Sequence, residues 1–180
     1  MCLILFRFQP DSPQSLVVAA NRDEFYARPA LAAHYWQDRP GIFAGRDLTA
    51  GGSWLGVTRS GRFAALTNFS AGDPVQTYPA SRGELVADFL ASQVAADAYI
   101  QSLEPTRYAG FNLLVYDGKE LHYTTNKGFP SEKLLQVPTD CLMRNSLLTG
   151  RRLLTGPRRL RRLWTQCPRA QQPFRACCKC

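Results

Sequence analysis

Cys2 is the sole thiol in the first 140 residues, and about twenty residues after it stands Asn21-Arg22-Asp23-Glu24. These residue types suit thiol chemistry. Methionine aminopeptidases accept a small residue at position two, so removal of Met1 would leave a free amine on the backbone of Cys2 itself. Such an amine has an ordinary pKa of about 7.7 to 8.0; part of it is uncharged at neutral pH and can take the proton of the neighbouring thiol. One residue would then be nucleophile and base together. Arg22 would favour the thiolate, Asp23 would orient the amine, and Asn21 would donate a hydrogen bond to a carbonyl oxygen. The plainer alternative is a small buried side chain on an inner strand, with residues 21–24 forming a solvated turn and its salt bridge. Composition alone favours that alternative.

The elements that must position these groups are legible as a hairpin. Leu3-Ile4-Leu5-Phe6 and Leu16-Val17-Val18-Ala19-Ala20 are short apolar runs, and Gln9-Pro10-Asp11-Ser12-Pro13-Gln14 between them is rich in turn formers. A loop centred between Asp11 and Ser12 puts Phe8 opposite Ser15 and Cys2 opposite Asn21. The stretch with Pro29, Pro40, Gly41 and Gly45 reads as a loop, partly packed down by His34, Tyr35 and Trp36. His34 has no Cys, His or carboxylate at metal-ligand spacing and reads as a structural or surface residue.

Gly51 to Thr58 and Phe63 to Asn68 form a second hairpin around a tight turn. The Gly51-Gly52 pair matches no phosphate-cradling pattern. Asn68 ends an apolar strand, where a side-chain amide can be held rigidly toward a substrate oxygen that gains charge. Ser81-Arg82-Gly83-Glu84 has the spacing of a capping box ahead of Leu85, Val86, Phe89 and Leu90 at helical intervals. A second helix is expected from Val94 to Leu103, ended by Glu104-Pro105. Strands follow at 108–116 and 121–125 around the Asp117-Gly118 turn. Strands, helices and strands succeed one another without regular βα alternation, which indicates an α+β fold.

The net charge of +8 suggests nucleic acid until it is divided along the chain. Residues 1–140 hold 12 Lys+Arg against 14 Asp+Glu, whereas residues 141–180 hold 10 Lys+Arg and no acid. The thiols divide likewise, with Cys141, Cys167, Cys177, Cys178 and Cys180 all in the second part. The organisation expected is a domain over 1–140 and a basic Cys/Arg-rich tail over 141–180. A single thiol in the body excludes a disulfide framework there. The tail could be a nucleic-acid arm, or a zinc knuckle of poor spacing; the preferred reading is out-of-frame or disordered sequence, because charge, acid and cysteine content change together. No nucleic acid is expected at the folded domain. No apolar run approaches the roughly 18 residues of a membrane span, and no basic segment followed by a long apolar one opens the chain, so a cytoplasmic location is expected.

Met1-Cys2-Leu3-Ile4, Ala19 to Pro29, Gly51-Gly52-Ser53-Trp54-Leu55-Gly56, Ala65-Leu66-Thr67-Asn68, Ser81 to Leu85 and Gly110-Phe111-Asn112-Leu113 together resemble the NRDE family over about residues 1–138. That family includes the transport and Golgi organisation protein 2 group. It is related to N-terminal-nucleophile hydrolases, which implies a four-layer αββα sandwich of two antiparallel sheets between helices. By that likeness Cys2 is the nucleophile, Asp23 holds the α-amine and Asn68 contributes to the oxyanion site. Arg144-Asn145-Ser146-Leu147-Leu148 resembles a later family segment, with Asn145 the last retained position. The strands and helices that complete the sandwich on the C-terminal side are then expected to be missing. The implied reaction is acyl transfer at a non-peptide amide through an acyl-enzyme, on a small-molecule amide, without a cofactor. The rival implication is a non-enzymatic carrier of haem or an acyl-lipid, for which His34, His122, a Tyr or Cys2 would be the axial ligand for haem.

Overall fold

The computed structural model of the chain describes residues 2–69, 77–127, 131–134 and 137–144. Ten strands, two α-helices and a short 3-10 turn appear among them, in two antiparallel sheets.

The smaller sheet holds β1 (Leu3–Phe8) between β2 (Leu16–Asn21) and β10 (Val137–Arg144). Alternation decides which face of β1 is inside: Ile4, Phe6 and Phe8 are buried, while Leu3, Leu5 and Arg7 are half-buried. Cys2 continues the buried set one step before the strand. The hairpin closes with the Gln9 amide donating to the Ser15 carbonyl at 2.7 Å, and Leu3 pairs with Asn21 and Phe8 with Leu16. The register therefore differs by one residue from the sequence expectation. Five residues, not six, fill the loop, so the position level with Cys2 is Arg22. A one-residue shift exchanges faces, and Asn21 goes to the outside. Strand β10 runs past position 140 to Arg144, which pairs with Leu3, four residues into the segment assigned to the tail. The rest of that segment, with Asn145, lies outside the described residues.

The larger sheet has seven strands in chain order: β3 (Ala30–Tyr35), β4 (Ile42–Asp47), β5 (Leu55–Thr58), β6 (Phe63–Asn68), β7 (Phe111–Tyr116), β8 (Leu121–Thr125) and β9 (Glu132–Leu134). Strands β3 and β4 occupy the stretch expected to be loop. Edge strand β3 is exposed along almost its whole length, so its sequence lacks the apolar alternation by which strands are recognised, and Pro40-Gly41 makes the turn rather than breaking a loop. Elsewhere the expected hairpins hold; Gly118 adopts φ of +100°, the conformation that the Asp117-Gly118 turn requires.

The two faces of this sheet are covered differently. Phe63, Ala65, Leu114, Tyr116 and Tyr123 meet Ile4, Phe6 and Phe8 of the smaller sheet, and Phe8 stacks edge-on against Tyr116 with ring centres 5.8 Å apart. Ala64, Leu66, Leu113 and Val115 meet Leu85, Val86, Phe89 and Leu90 of α1 (Arg82–Ala91). Helix α2 (Ala96–Gln101) is shorter than the expected 94–103, and its Tyr99 hydroxyl donates to the Leu85 carbonyl. The fold is thus mixed α/β with mostly antiparallel sheets. A helical layer and two sheets are present among the described residues; an outer helical layer beyond the smaller sheet is not among them.

Helix α1 is fixed at both ends. Ser81 and Glu84 form the capping box, with the Gly83 amide donating to Ser81 Oγ and the Ser81 amide to Glu84 Oε1, each at 3.3 Å. At the other end Arg62, 5% exposed, donates through Nη2 to the carbonyls of Phe89 and Val94 and to Ser92 Oγ, and its guanidinium lies 4.1 Å from the centre of the Phe89 ring.

Candidate functional site

Cys2 lies at the end of the inner face of β1, 8% exposed, with Sγ 3.7 Å from the Asp23 carbonyl oxygen, to which it donates. The strand pattern explains both facts. Alternation sends Cys2 inward with Ile4, and the chain leaving β2 at Asn21 turns so that the backbone of Asp23 closes over the thiol. Burial pushes the thiol pKa above its ordinary value; the charges of the amino terminus, Arg22 and Arg82 pull it back, and Glu24 opposes them.

Among the residues of the expected site, Arg22 is half-buried and its Nη2 donates to Glu24 Oε2 at 3.4 Å. Asp23 is at the thiol through its backbone carbonyl, with its residue largely exposed. Asn21 is exposed on the outer face and is not brought to the sulfur. Asn68 ends β6 opposite Phe111, and the next amide, that of Phe69, donates to the Gly110 carbonyl at 2.8 Å. Asn145 is outside the described residues. His34 and His122 lie apart from this cluster, on β3 and β8. Nδ1 of His34 is 2.8 Å from the Ala32 carbonyl, and Nε2 of His122 is 3.0 Å from Glu120 Oε2. Among the described residues no group of three or more His, Cys, Asp or Glu is placed to hold a metal ion.

Sequence reasoning missed Arg82. It is the first residue of α1, and its Nη1 donates at 3.1 Å to the same Gly110 carbonyl that accepts from Phe69. Burial lowers its pKa, the like charge of Arg28 lowers it further, and Glu24, Tyr78 and Cys2 oppose both. Arg82 therefore holds the Gly110 end of β7 beside the Asn68-Phe69 end of β6, and its charge acts on the Cys2 thiol. A signal was available: a cation in the first turn of a helix faces the positive end of the helix dipole, so a purely structural helix start would not favour arginine there.

The first turn is held by a contact of two backbones. The Ser53 amide donates to the Gly83 carbonyl at 3.2 Å, and a Cβ on Gly52 would lie 2.4 Å from the Gly83 carbonyl carbon. The bare backbones of Gly51-Gly52-Ser53 and of the helix start touch, which is why glycine stands at both places. Arg28 completes the surroundings, with Nε 2.7 Å from Asp47 Oδ2. Phe25 and Tyr26, between Glu24 and Arg28, are both strongly exposed. No helix of the described residues is long and apolar enough to cross a membrane.

The chain was compared with known proteins. A family model described as Transport and Golgi organisation 2 matches residues 1–180. The human Transport and Golgi organization protein 2 homolog is 37% identical over 163 residues, covering 82% of this chain and 58% of the human protein. The bovine homolog is 38% identical over 162 residues with the same coverage, and the Drosophila melanogaster protein is 33% identical over 129 residues, covering 63% of this chain and 45% of its own length. The chain thus spans less than three-fifths of the length of these relatives. It belongs to the Transport and Golgi organisation 2 family.

Proposed function

We propose that this chain carries the nucleophile half of an N-terminal-cysteine amidohydrolase, with a sandwich of the N-terminal-nucleophile kind, acting on a small-molecule non-peptide amide. The observation that carries the reading is the position of Cys2: an inward thiol at a strand end, under the Asp23 backbone, with the charges of Arg22 and Arg82 favouring its thiolate. With Met1 removed, the amine of Cys2 would take the thiol proton. The thiolate would attack the amide carbon, forming a C–S bond and an oxyanion, and the C–N bond would break as the ammonium returns its proton to the leaving amine. Water would then cleave the thioester and restore the thiol. Asp23 is assigned to the amine, and Asn68 to the oxyanion. Arg22 is assigned to the thiolate.

The test is intact-mass spectrometry before and after incubation with acylated amides. The reading expects loss of Met1 and an acyl adduct on the peptide ending at Arg7; retention of Met1 would sink the mechanism. A pH profile gives a second check. Because burial holds the thiol above its ordinary pKa, alkylation of Cys2 by iodoacetamide should rise with pH along a curve displaced to higher pH than that of free cysteine. Arg22→Gln should displace it further, since a charge that favours the thiolate is lost.

The raised thiol pKa also favours a second reading, a non-enzymatic carrier of haem or an acyl-lipid in which Cys2 remains a neutral thiol. The relatives are named for transport and Golgi organisation. A Soret band that survives dilution, with no adduct on Cys2, would favour it.

A further inference from the structure

We propose that Arg82 is the recognition group of the Cys2 site, and that the molecule bound there carries a carboxylate or phosphate which pairs with its guanidinium. The inference rests on the reading of Cys2 as the reacting centre and names the class of its substrate: an amide that is also an anion.

The charges around the thiol leave one cation unanswered. Glu24 is engaged by Arg22 at 3.4 Å and Asp47 by Arg28 at 2.7 Å, whereas no carboxylate among the described residues lies at salt-bridge distance from Arg82. Among the described residues its hydrogen-bond partner is the backbone carbonyl of Gly110, met by one of five guanidinium N–H groups. The side chain is only half-exposed, so water does not fully replace a counter-charge.

Its position adds two further costs. Arg82 opens a ten-residue helix, where the dipole disfavours a cation, and Arg28 adds like-charge repulsion. The capping box and the Gly52–Gly83 contact fix the helix start, so the chain is not free to swing the arginine into solvent by unwinding its first turn. A rigid, partly dehydrated guanidinium near a thiol, with no carboxylate partner among the described residues, is the arrangement that recognises an oxyanion by a planar two-point contact. The same helix dipole that disfavours Arg82 favours the anion that would bind it. Phe8 packs on Tyr116 at one end of β7, and Arg82 holds the Gly110 carbonyl at the other, the end toward which β1 runs back to Cys2; the anionic group and the amide would therefore belong to one molecule.

The experiment needs no turnover and no known substrate. In the full chain, Cys2 is alkylated by iodoacetate, an anion, and by iodoacetamide, its neutral counterpart; in both, the thiolate displaces iodide. Rates are read by mass on the peptide ending at Arg7, so that other thiols do not contribute. The ratio of the two rates cancels thiolate content. It should fall about fivefold in Arg82→Gln, which is what one partly screened ion pair is worth, and less in Arg82→Lys. Acetate or inorganic phosphate should protect Cys2 from iodoacetate in the wild-type chain, and the more effective of the two identifies the anion. An unchanged ratio in Arg82→Gln, an equal fall in Arg22→Gln, or protection by neither anion would overturn the proposal. Should Arg82→Gln lose its cooperative melt, protection of the wild-type chain by the anions carries the test. Failure of the acyl-adduct experiment with a persistent iodoacetate preference would refute the hydrolase while leaving the anion site standing.

Discussion

Helix α1 has an arginine at each end, and the two are used in opposite ways. Arg62, just before β6, sits at the C-terminal end with three acceptors and an aromatic ring beneath it, in the direction the dipole favours. Arg82 sits at the N-terminal end, against the dipole, with one acceptor among the described residues. A fold selected for stability alone would keep the first and replace the second. The difference separates an arginine that closes the helix from one whose energetic cost points to a role toward a ligand.

The largest effect expected from testing that contrast is at the contact beneath Arg82. Gly52→Ala would drive a methyl into the Gly83 carbonyl, and a loss of at least about 3 kcal/mol is expected in a urea melt. A loss under about 1 kcal/mol would mean that the first turn can shift and that the N-terminal end is not rigid. At the other end, Arg62→Ala takes the buried guanidinium from the Val94 carbonyl, leaving the Phe89 carbonyl to Ser92, and should cost about 2 kcal/mol. The smallest effect is at Arg82 itself: Arg82→Gln should change stability by no more than about 0.5 kcal/mol, in the direction of a gain, because an unfavourable charge leaves the helix start. A loss there as large as that of Arg62→Ala would erase the contrast and make Arg82 one more structural arginine.

Much of this arrangement was legible in the sequence where local chemistry alone decides the structure. The Ser81-x-x-Glu84 spacing forms its capping box, the Asp117-Gly118 turn forms where a positive φ is needed, and the β1–β2 hairpin stands where two apolar runs flank turn formers. Its register did not follow from that pattern, because turn-forming residues mark a loop without fixing how many of them it contains; one residue moved Asn21 outward and put Arg22 level with Cys2. Strands β3 and β4 were hidden because an exposed edge strand has little apolar alternation to show. Arg82 was hidden for a different reason: it stands about eighty residues from Cys2, and only the packing of α1 across β6 and β7 brings it to the thiol. The role of Asn68 as an amide donor remains a reading of its strand-end position.

The central place of β1 in the smaller sheet bears on how the chain acquires its shape. Its β2 partner is made at once, within the first 21 residues, but the residues of its other partner, β10, stand 129 to 141 positions beyond those they pair with. Closing so long a loop is entropically costly and slow compared with local hairpin formation. During synthesis the strand bearing Cys2 therefore spends most of the elongation time as an open edge. The arrival of residues 137–144 closes that edge.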